Sequence, residues 1–426
     1  MGKADPVRLA AVGLIVGVTE GHAALSDLLA VGALSALSPP ERARAQRLAA
    51  TTLRHLARAD AALRPHLRRA PPPEVLALLR LATVELLEEQ AAAHGVVDAA
   101  VTLTRAAGER GESLGGLVNA VLRKVAATAP EAWAALPAPA LPAWLRGRLM
   151  NAWGKQAVMA MEAAHLRGAP LDLTPKSGDA TALAAALGGD VLPTGSVRLA
   201  GQHGQVSDLP GFASGDWWVQ DAAAALAARA LAPVAGERVL DLCAAPGGKT
   251  LQLAAAGATV TALDVSEPRM GRLRDNLARC GLSADLVVAD ALTWVPETPF
   301  DAVLLDAPCS STGTIRRHPD LPYSRDPATL RGLYALQAAL LDRALGFLKP
   351  GGRLVYATCS LLPEEGEAQV AAALARHPGL GADLAALALP GVEPTWISAE
   401  GGLRLRPDYW PAKGGMDGFY IALLRR

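Results

Sequence analysis

From Trp217 onward the chain alternates between two periods, and this alternation most constrains its fold. Apolar strand-like runs cover 238–242, 259–263, 284–288, 302–305 and 353–356. Segments with helical apolar spacing separate most of them, at 248–256, 267–280 and 330–348. Strand and helix in turn predict a doubly wound α/β sheet, whose ligands sit at the carboxyl ends of the strands. The run 419–424 predicts one further strand. Residues just past the strand ends are therefore where chemistry is expected.

The front of the chain has one period only. Helical spacing runs through 8–19, 40–59, 73–90, 96–108 and 114–127, with short connections that predict a compact bundle. Ser38-Pro39-Pro40-Glu41 is a helix start, with an N-cap residue, proline and an acid in order. A Pro/Ala-rich stretch from Ala129 to Pro142 reads as a linker. After it, mixed signals include a helix at 159–166, a strand-like Leu171-Asp172-Leu173-Thr174, a helix at 180–187 and a short Val197-Arg198-Leu199. The expected organisation is an all-α domain over 1–130, a linker over 131–143, a small α+β subdomain over 144–215, and the α/β domain over 216–426.

Composition narrows the partners. Lys plus Arg and Asp plus Glu both number 41 among 426 residues, so a nucleic-acid partner must meet a local basic face rather than bulk charge. No apolar run reaches the ~18 residues of a spanning helix, and no membrane association is expected. The early run from Leu9 to Val18 is flanked by Asp5 and Glu20 and reads as a core helix rather than a secretion signal. The 4 cysteines form neither a disulfide framework nor a Cys-x-x-Cys metal motif, so no metal is expected and a reducing cytoplasm is the expected compartment.

Three strand ends carry acids or glycines suited to a nucleoside cofactor. Cys243-Ala244-Ala245-Pro246-Gly247-Gly248-Lys249 follows the first strand and opens a helix, where glycine allows close backbone approach and free N–H groups face a ligand. It is neither Gly-x-Gly-x-x-Gly nor a phosphate loop. Asp264 ends the next strand, where an acid can accept from both ribose hydroxyls. Asp290 follows the third strand and can meet an adenine amino group. Each acid could instead simply accept backbone N–H groups.

Two thiols lie past the remaining parallel strands, in Asp306-Ala307-Pro308-Cys309-Ser310 and Ala357-Thr358-Cys359-Ser360. Cys243 and Cys280 read as inert core, although the backbone of Cys243 can line the loop. Two thiols beside a nucleotide-type cofactor suit alkylation of a pyrimidine carbon. Carbon 5 of cytosine is a poor nucleophile until a thiolate adds at carbon 6. It then accepts a methyl group, a base removes its proton, and the thiol is eliminated. Asp306 can bond the cytosine ring nitrogen and amino group, or contact the cofactor. Arg316-Arg317-His318-Pro319-Asp320 is a basic stretch that can meet RNA phosphates or form a solvated face.

Asp241 to Thr250, Asp306 to Ser310, Arg316 to Asp320 and Ala357 to Ser360 together resemble the Sun/Fmu (Nop2-related) family of RNA cytosine-5 methyltransferases. Val219-Gln220-Asp221 and Asp417-Gly418-Phe419-Tyr420 resemble that family's entry segment and closing strand. His94 to Val101 and Leu117 to Arg123 resemble a NusB-like helical domain, which in this family marks the bacterial enzyme for small-subunit (16S) ribosomal RNA. The resemblance implies a Rossmann-like domain dependent on S-adenosyl-L-methionine, preceded by a NusB-like RNA-binding bundle and a small RNA-facing subdomain. It implies Cys359 as nucleophile and Cys309 in product release, as or beside the base. It places the cofactor against residues 243–249, Asp264, Arg269, Asp290 and Asp306. A monomer is expected, because RNA must reach the site.

Two positions depart from the pattern. Gly366 stands where the family usually has asparagine, and Leu171 to Lys176 replaces an Arg-x-Asn strand, which touches RNA site choice. Transfer RNA as substrate, and a non-catalytic RNA-binding assembly factor, are the alternatives. The NusB-like front argues against the first and the intact thiols against the second. A nicotinamide oxidoreductase would need the absent Gly-x-Gly-x-x-Gly.

Overall fold

The computed structural model describes residues 5–201 and 204–425, apart from the side chains of Glu109 and Arg110. The first and last residues of the expected domains thus lie outside it. The chain divides into two units: one runs to Gly168 and includes Ile315–Asp326, and the other holds Ala169–Thr314 and the chain from Pro327.

The first unit is helical. Its long helices are Pro6–Thr19, Pro39–Arg54, Pro73–Leu87, Ala93–Ala106, Glu109–Ala126, Ala143–Trp153 and Lys155–Arg167. The Leu9 to Val18 run is a core helix, with Val12, Leu14, Ile15 and Val18 buried. Ser38 and Glu41 form the expected capping box, the Ser38 N–H donating to Glu41 at 2.9 Å. The helix expected over 40–59 is two helices. It stops at Arg54, turns at His55 (φ −101°, ψ 11°) and resumes as Leu56–Leu63. Leu53, Leu56, Ala59 and Leu63 are buried on both sides of the break, so the apolar period runs through it.

The stretch expected as one subdomain over 144–215 is divided. Its helices Ala143–Trp153 and Lys155–Arg167 group with the first unit, as does the proline-rich 131–143, while its helix Ala180–Leu187 and its strands belong to the second. Those strands are β1 (Leu171–Pro175), β2 (Asp190–Val191) and β3 (Val197–Leu199). With β4 (Trp217–Val219) they form an antiparallel sheet in the order β2-β3-β1-β4. The departure at Leu171 to Lys176 has a structural use. Asp172, 3% exposed, accepts both Arg198 Nε at 2.6 Å and Arg198 Nη2 at 2.7 Å, and also the Ala222 N–H. Burial raises its pKa, while the Arg198 bonds favour the carboxylate.

The large sheet contains β5 (Arg238–Leu242), β6 (Thr259–Asp264), β7 (Asp285–Val288), β8 (Phe300–Asp306), β9 (Leu348–Thr358), β10 (Gly381–Ala382), β11 (Leu403–Leu405) and β12 (Phe419–Arg425). Its order is β10-β12-β9-β8-β5-β6-β7, with β11 on β12. Strands β5 to β9 pair in parallel, and β12 runs antiparallel to β9. The order reverses between β5 and β8, so the loops after these strands open at a topological switch point. Leu240, Leu242, Val303, Leu305, Leu354 and Tyr356 on the central strands are fully buried, which holds the loop bases rigid. Among the described residues, no helix is long and apolar enough to cross a membrane, and no group of acids, histidines and cysteines could hold a metal ion.

Candidate active site

The cofactor loop begins where β5 ends. Cys243 turns the chain with φ 59° and Gly247 turns it again with φ 108°. A Cβ on Gly247 would lie 2.2 Å from Leu273 Cδ1, so both the turn and the close packing require glycine. The helix Gly248–Ala255 starts at once, and its first N–H groups have no partner within the helix. Asp264 pins this loop from β6. Its carboxylate accepts Ala245 N–H at 3.2 Å and Ser266 N–H at 2.9 Å, and Arg269 lies 3.6 Å from it while donating to the Ala245 carbonyl. Asp290 similarly accepts the Leu292 N–H at 2.9 Å. Both acids therefore perform the backbone role, and an ionised carboxylate retains further lone pairs for a ligand.

Asp241, in β5 just before this loop, belongs to the Asp241 to Thr250 motif but had no cofactor contact assigned to it from the sequence. It is fully buried, Thr250 Oγ1 donates to its Oδ2 at 2.6 Å, and its Oδ1 has no partner among the described residues. Burial raises its pKa to about 7. A buried orphan acceptor beside a helix start suits a cationic donor from a ligand. Val265 and Leu292 were missed too, being unremarkable apolar residues in the sequence. Val265 is 72% exposed directly after Asp264, and Leu292 is 37% exposed near Asp290. These apolar faces beside the two acids fit the flat base of an adenosine group, so the loop residues suit the expected cofactor.

The thiols meet because β8 and β9 are adjacent in register, Asp306 facing Ala357. Each cysteine lies just past its strand, and their sulfurs are 3.4 Å apart. The pair is asymmetric. The Cys309 thiol, with the Ser311 hydroxyl and the Lys249 ammonium, favours the thiolate of Cys359 and lowers its pKa against the cost of burial. Sharing the pair's charge with Cys359, together with burial, raises Cys309 well above an ordinary thiol. Cys243 is pushed up by burial, and Cys280 is fully buried, so neither joins this chemistry. Lys249 Nζ donates to Asp306 Oδ2 at 2.6 Å, which ties the cofactor loop to the β8 end.

Glu365 holds the two thiol loops together, a role the sequence did not signal. It is fully buried, and its Oε2 accepts the hydroxyls of Ser310 and Ser360, each at 2.5 Å. Its Oε1 accepts Ser310 N–H at 2.9 Å and Gln337 Nε2 at 3.0 Å. Ser310 follows Cys309 and Ser360 follows Cys359, so one carboxylate fixes both loops. Beside it, Arg404 donates to the Ser360 carbonyl and to both oxygens of Glu367. A Cβ at Gly366 would lie 2.6 Å from Arg404 Nη2 and 2.6 Å from Tyr420 Cγ. Arg404 and Tyr420 thus take the space that a larger residue at position 366 would need.

The basic stretch divides. Arg316 is fully buried and Asp320 is 3% exposed, accepting the Leu25 N–H at 3.0 Å within the first unit. The expectation that Arg316 meets phosphate is therefore corrected: its guanidinium is packed inside. Arg317 and His318 are exposed.

An open sheet in this order, with a glycine turn after its central strand and acids after the next two, defines a Rossmann-like, S-adenosyl-L-methionine-dependent methyltransferase. The chain belongs to the 16S rRNA methyltransferase RsmB/F family. That family's model matches residues 228–425, and the NusB family model matches residues 5–127. A ribosomal RNA small subunit methyltransferase B of Xanthomonas campestris is 37% identical over 439 residues, covering 98% of this chain and 96% of that one. One from Pseudomonas syringae is 36% identical over 457 residues, with 98% and 96% covered. The crystal structure of a methyltransferase homolog protein from Pyrococcus horikoshii aligns with a TM-score of 0.57 at 30% identity, covering 66% of this chain and 94% of that one.

Proposed function

We propose that this methyltransferase transfers a methyl group to carbon 5 of a cytosine in small-subunit ribosomal RNA, through a covalent adduct with Cys359. The observation that carries this reading is the thiol pair past β8 and β9, 3.4 Å apart and polarised toward a Cys359 thiolate. The cofactor is held by the loop from Cys243 to Lys249, with the Asp241 carboxylate toward its ammonium group. Asp264 takes the ribose hydroxyls, Val265 and Leu292 flank the adenine, and Asp290 takes the adenine amino group. Arg269 braces Asp264 and the Ala245 carbonyl. S-adenosyl-L-methionine bound there supplies a methyl group on a sulfonium centre.

The chain's own residues then act in sequence. The Cys359 thiolate adds to carbon 6 and leaves carbon 5 enamine-like, while Asp306, positioned by Lys249, bonds the ring nitrogen and amino group. Carbon 5 takes the methyl group and loses its proton to a base at or beside Cys309. The carbon–sulfur bond to Cys359 then breaks. The Cys309 side chain, beside the leaving sulfur, assists that release. The Gly418 N–H donates to the Gly313 carbonyl at 2.8 Å, which ties the chain after Cys309 to the start of β12.

The helical residues 5–127 bind the RNA, and the relatives' printed names support the small-subunit RNA over transfer RNA. The enzyme works in the cytoplasm as a monomer. The test is methyl transfer to unmodified RNA with nucleosides identified by mass spectrometry. Cys359→Ala should abolish 5-methylcytidine, and a freely methylating Cys359→Ala enzyme would sink the thiol assignment.

A further inference from the structure

A concavity of about 450 Å³ lies wholly within the first unit. That volume falls in the ~300–1,000 Å³ range of ligand pockets. Its walls combine apolar surface with three distinctive groups. Trp144 and Tyr323 supply aromatic rings, Arg54 supplies a cation, and His165 supplies an imidazole.

Among the described residues, one polar side chain of this wall is without partners and one cation lacks a counter-charge. His165 is 7% exposed, and both of its ring nitrogens lack a hydrogen-bond partner among the described residues. Burial and the nearby Arg316 and Arg54 push its pKa down to about 3, so the ring is neutral, with one donor and one acceptor nitrogen. Arg54 Nη1 donates to the carbonyls of Arg316 at 2.7 Å and His165 at 3.0 Å. Arg54 has no carboxylate partner among the described residues, and burial with repulsion from Arg316 lowers its pKa to about 10. The two acids on the wall are already engaged. Asp60 accepts Arg80 through both oxygens, at 2.7 and 2.9 Å. Glu162 accepts Arg146 Nε at 2.7 Å and the Leu141 N–H at 2.9 Å. The cavity therefore combines aromatic surface with a cation that has no carboxylate partner among the described residues.

These needs match one chemical class. A nucleotide brings a flat base for the rings and a phosphate for Arg54. We propose that this cavity receives a single nucleotide extruded from the substrate RNA, its base against Trp144 and Tyr323 and its phosphate beside Arg54. This rests on the reading of RNA as substrate. The contact is a binding contact, separate from the thiol chemistry of the second unit, and adds affinity for an unpaired nucleotide.

The test uses the full-length protein and unmodified small-subunit ribosomal RNA carrying 5-bromouridine. Irradiation should cross-link the RNA to the peptide bearing Trp144 or the one bearing Tyr323. Trp144→Ala removes a half-buried ring from the helix Ala143–Trp153 and should weaken RNA binding about tenfold, as loss of one stacked base does. Tyr323→Leu, which removes the second ring, should weaken it similarly. Cofactor affinity should be unchanged in Trp144→Ala. Absence of cross-links at both peptides, or a wild-type dissociation constant in both variants, would overturn the assignment. Neither readout requires methyl transfer. A wild-type enzyme that cross-links here yet forms no 5-methylcytidine would remove the proposed reaction and leave this site standing.

Discussion

Glu365 offers the sharpest test of how the fold builds the site, because it touches neither thiol and yet fixes both loops. Its four accepted hydrogen bonds come from Ser310 N–H, the Ser310 and Ser360 hydroxyls and Gln337. Bonds to a charged group contribute about 1.5–3 kcal/mol each, but members of one network do not add. Removing the whole carboxylate should cost about 3–5 kcal/mol, the range for breaking a buried polar network. In a unit of this size that lowers the thermal midpoint of Glu365→Ala by about 10 °C. The kinetic effect should be larger in proportion. A displacement of ~1 Å between reacting groups costs about a hundredfold in rate, and the loops after β8 and β9 lose their common anchor. Glu365→Gln keeps the shape and loses the charge, so its kcat should fall about tenfold with little change in thermal midpoint. The assay is single-turnover methyl transfer to unmodified small-subunit RNA, with cofactor affinity measured beside it and expected to be unchanged. A Glu365→Ala protein that folds and turns over at the wild-type rate would refute the clamp.

Three further outcomes follow from the same geometry. Cys309→Ala should accumulate a covalent protein–RNA adduct, seen as a slow band on a denaturing gel, while Cys359→Ala should form none; the reverse pattern would exchange the two roles. Alkylation of Cys359 by iodoacetamide, followed by mass spectrometry of its peptide, should rise with pH and level off below the pH of an ordinary thiol, because the Cys309 thiol, the Ser311 hydroxyl and Lys249 favour the thiolate. In Cys309→Ala that favour is lost in part, so the midpoint should move to higher pH; an unmoved or lowered midpoint would contradict the asymmetry. Gly366→Asn should destabilise the second unit by about 1–3 kcal/mol, the cost of overpacking, as Arg404 and Tyr420 are displaced; a stabilised variant would show that Arg404 can move aside freely.

Much of the second unit was legible because its signals are local. Strands β5, β6 and β8 are short, largely apolar runs and β9 ends in one, and their chemical residues follow within a few positions of each strand end. The Cys243 to Lys249 loop, Cys309 and Cys359 could be located by that rule. What escaped depends on contacts between distant segments. Glu365 reaches Ser310 across 55 positions, and no periodicity reports such a bond. Asp241 reads as an ordinary strand residue until its unpartnered oxygen is seen. The break at His55 is hidden because buried leucines continue in phase across it. Arg316 looks like a surface cation in the sequence, yet the chain from Ile315 to Asp326 belongs to the first unit, where that side chain is buried. The division of 144–215 escaped for a related reason: β4 lies beyond the expected boundary and completes the small sheet by pairing with β1.

The central claim is methylation of cytosine carbon 5 in small-subunit RNA by a cysteine adduct. Labelled S-adenosyl-L-methionine should be offered to unmodified 16S, 23S and transfer RNA, with the product nucleosides identified by mass spectrometry. The account predicts 5-methylcytidine in 16S RNA alone, and none with Cys359→Ala. Label confined to transfer RNA, or carried on a base atom that needs no thiolate, such as an exocyclic nitrogen, would contradict it.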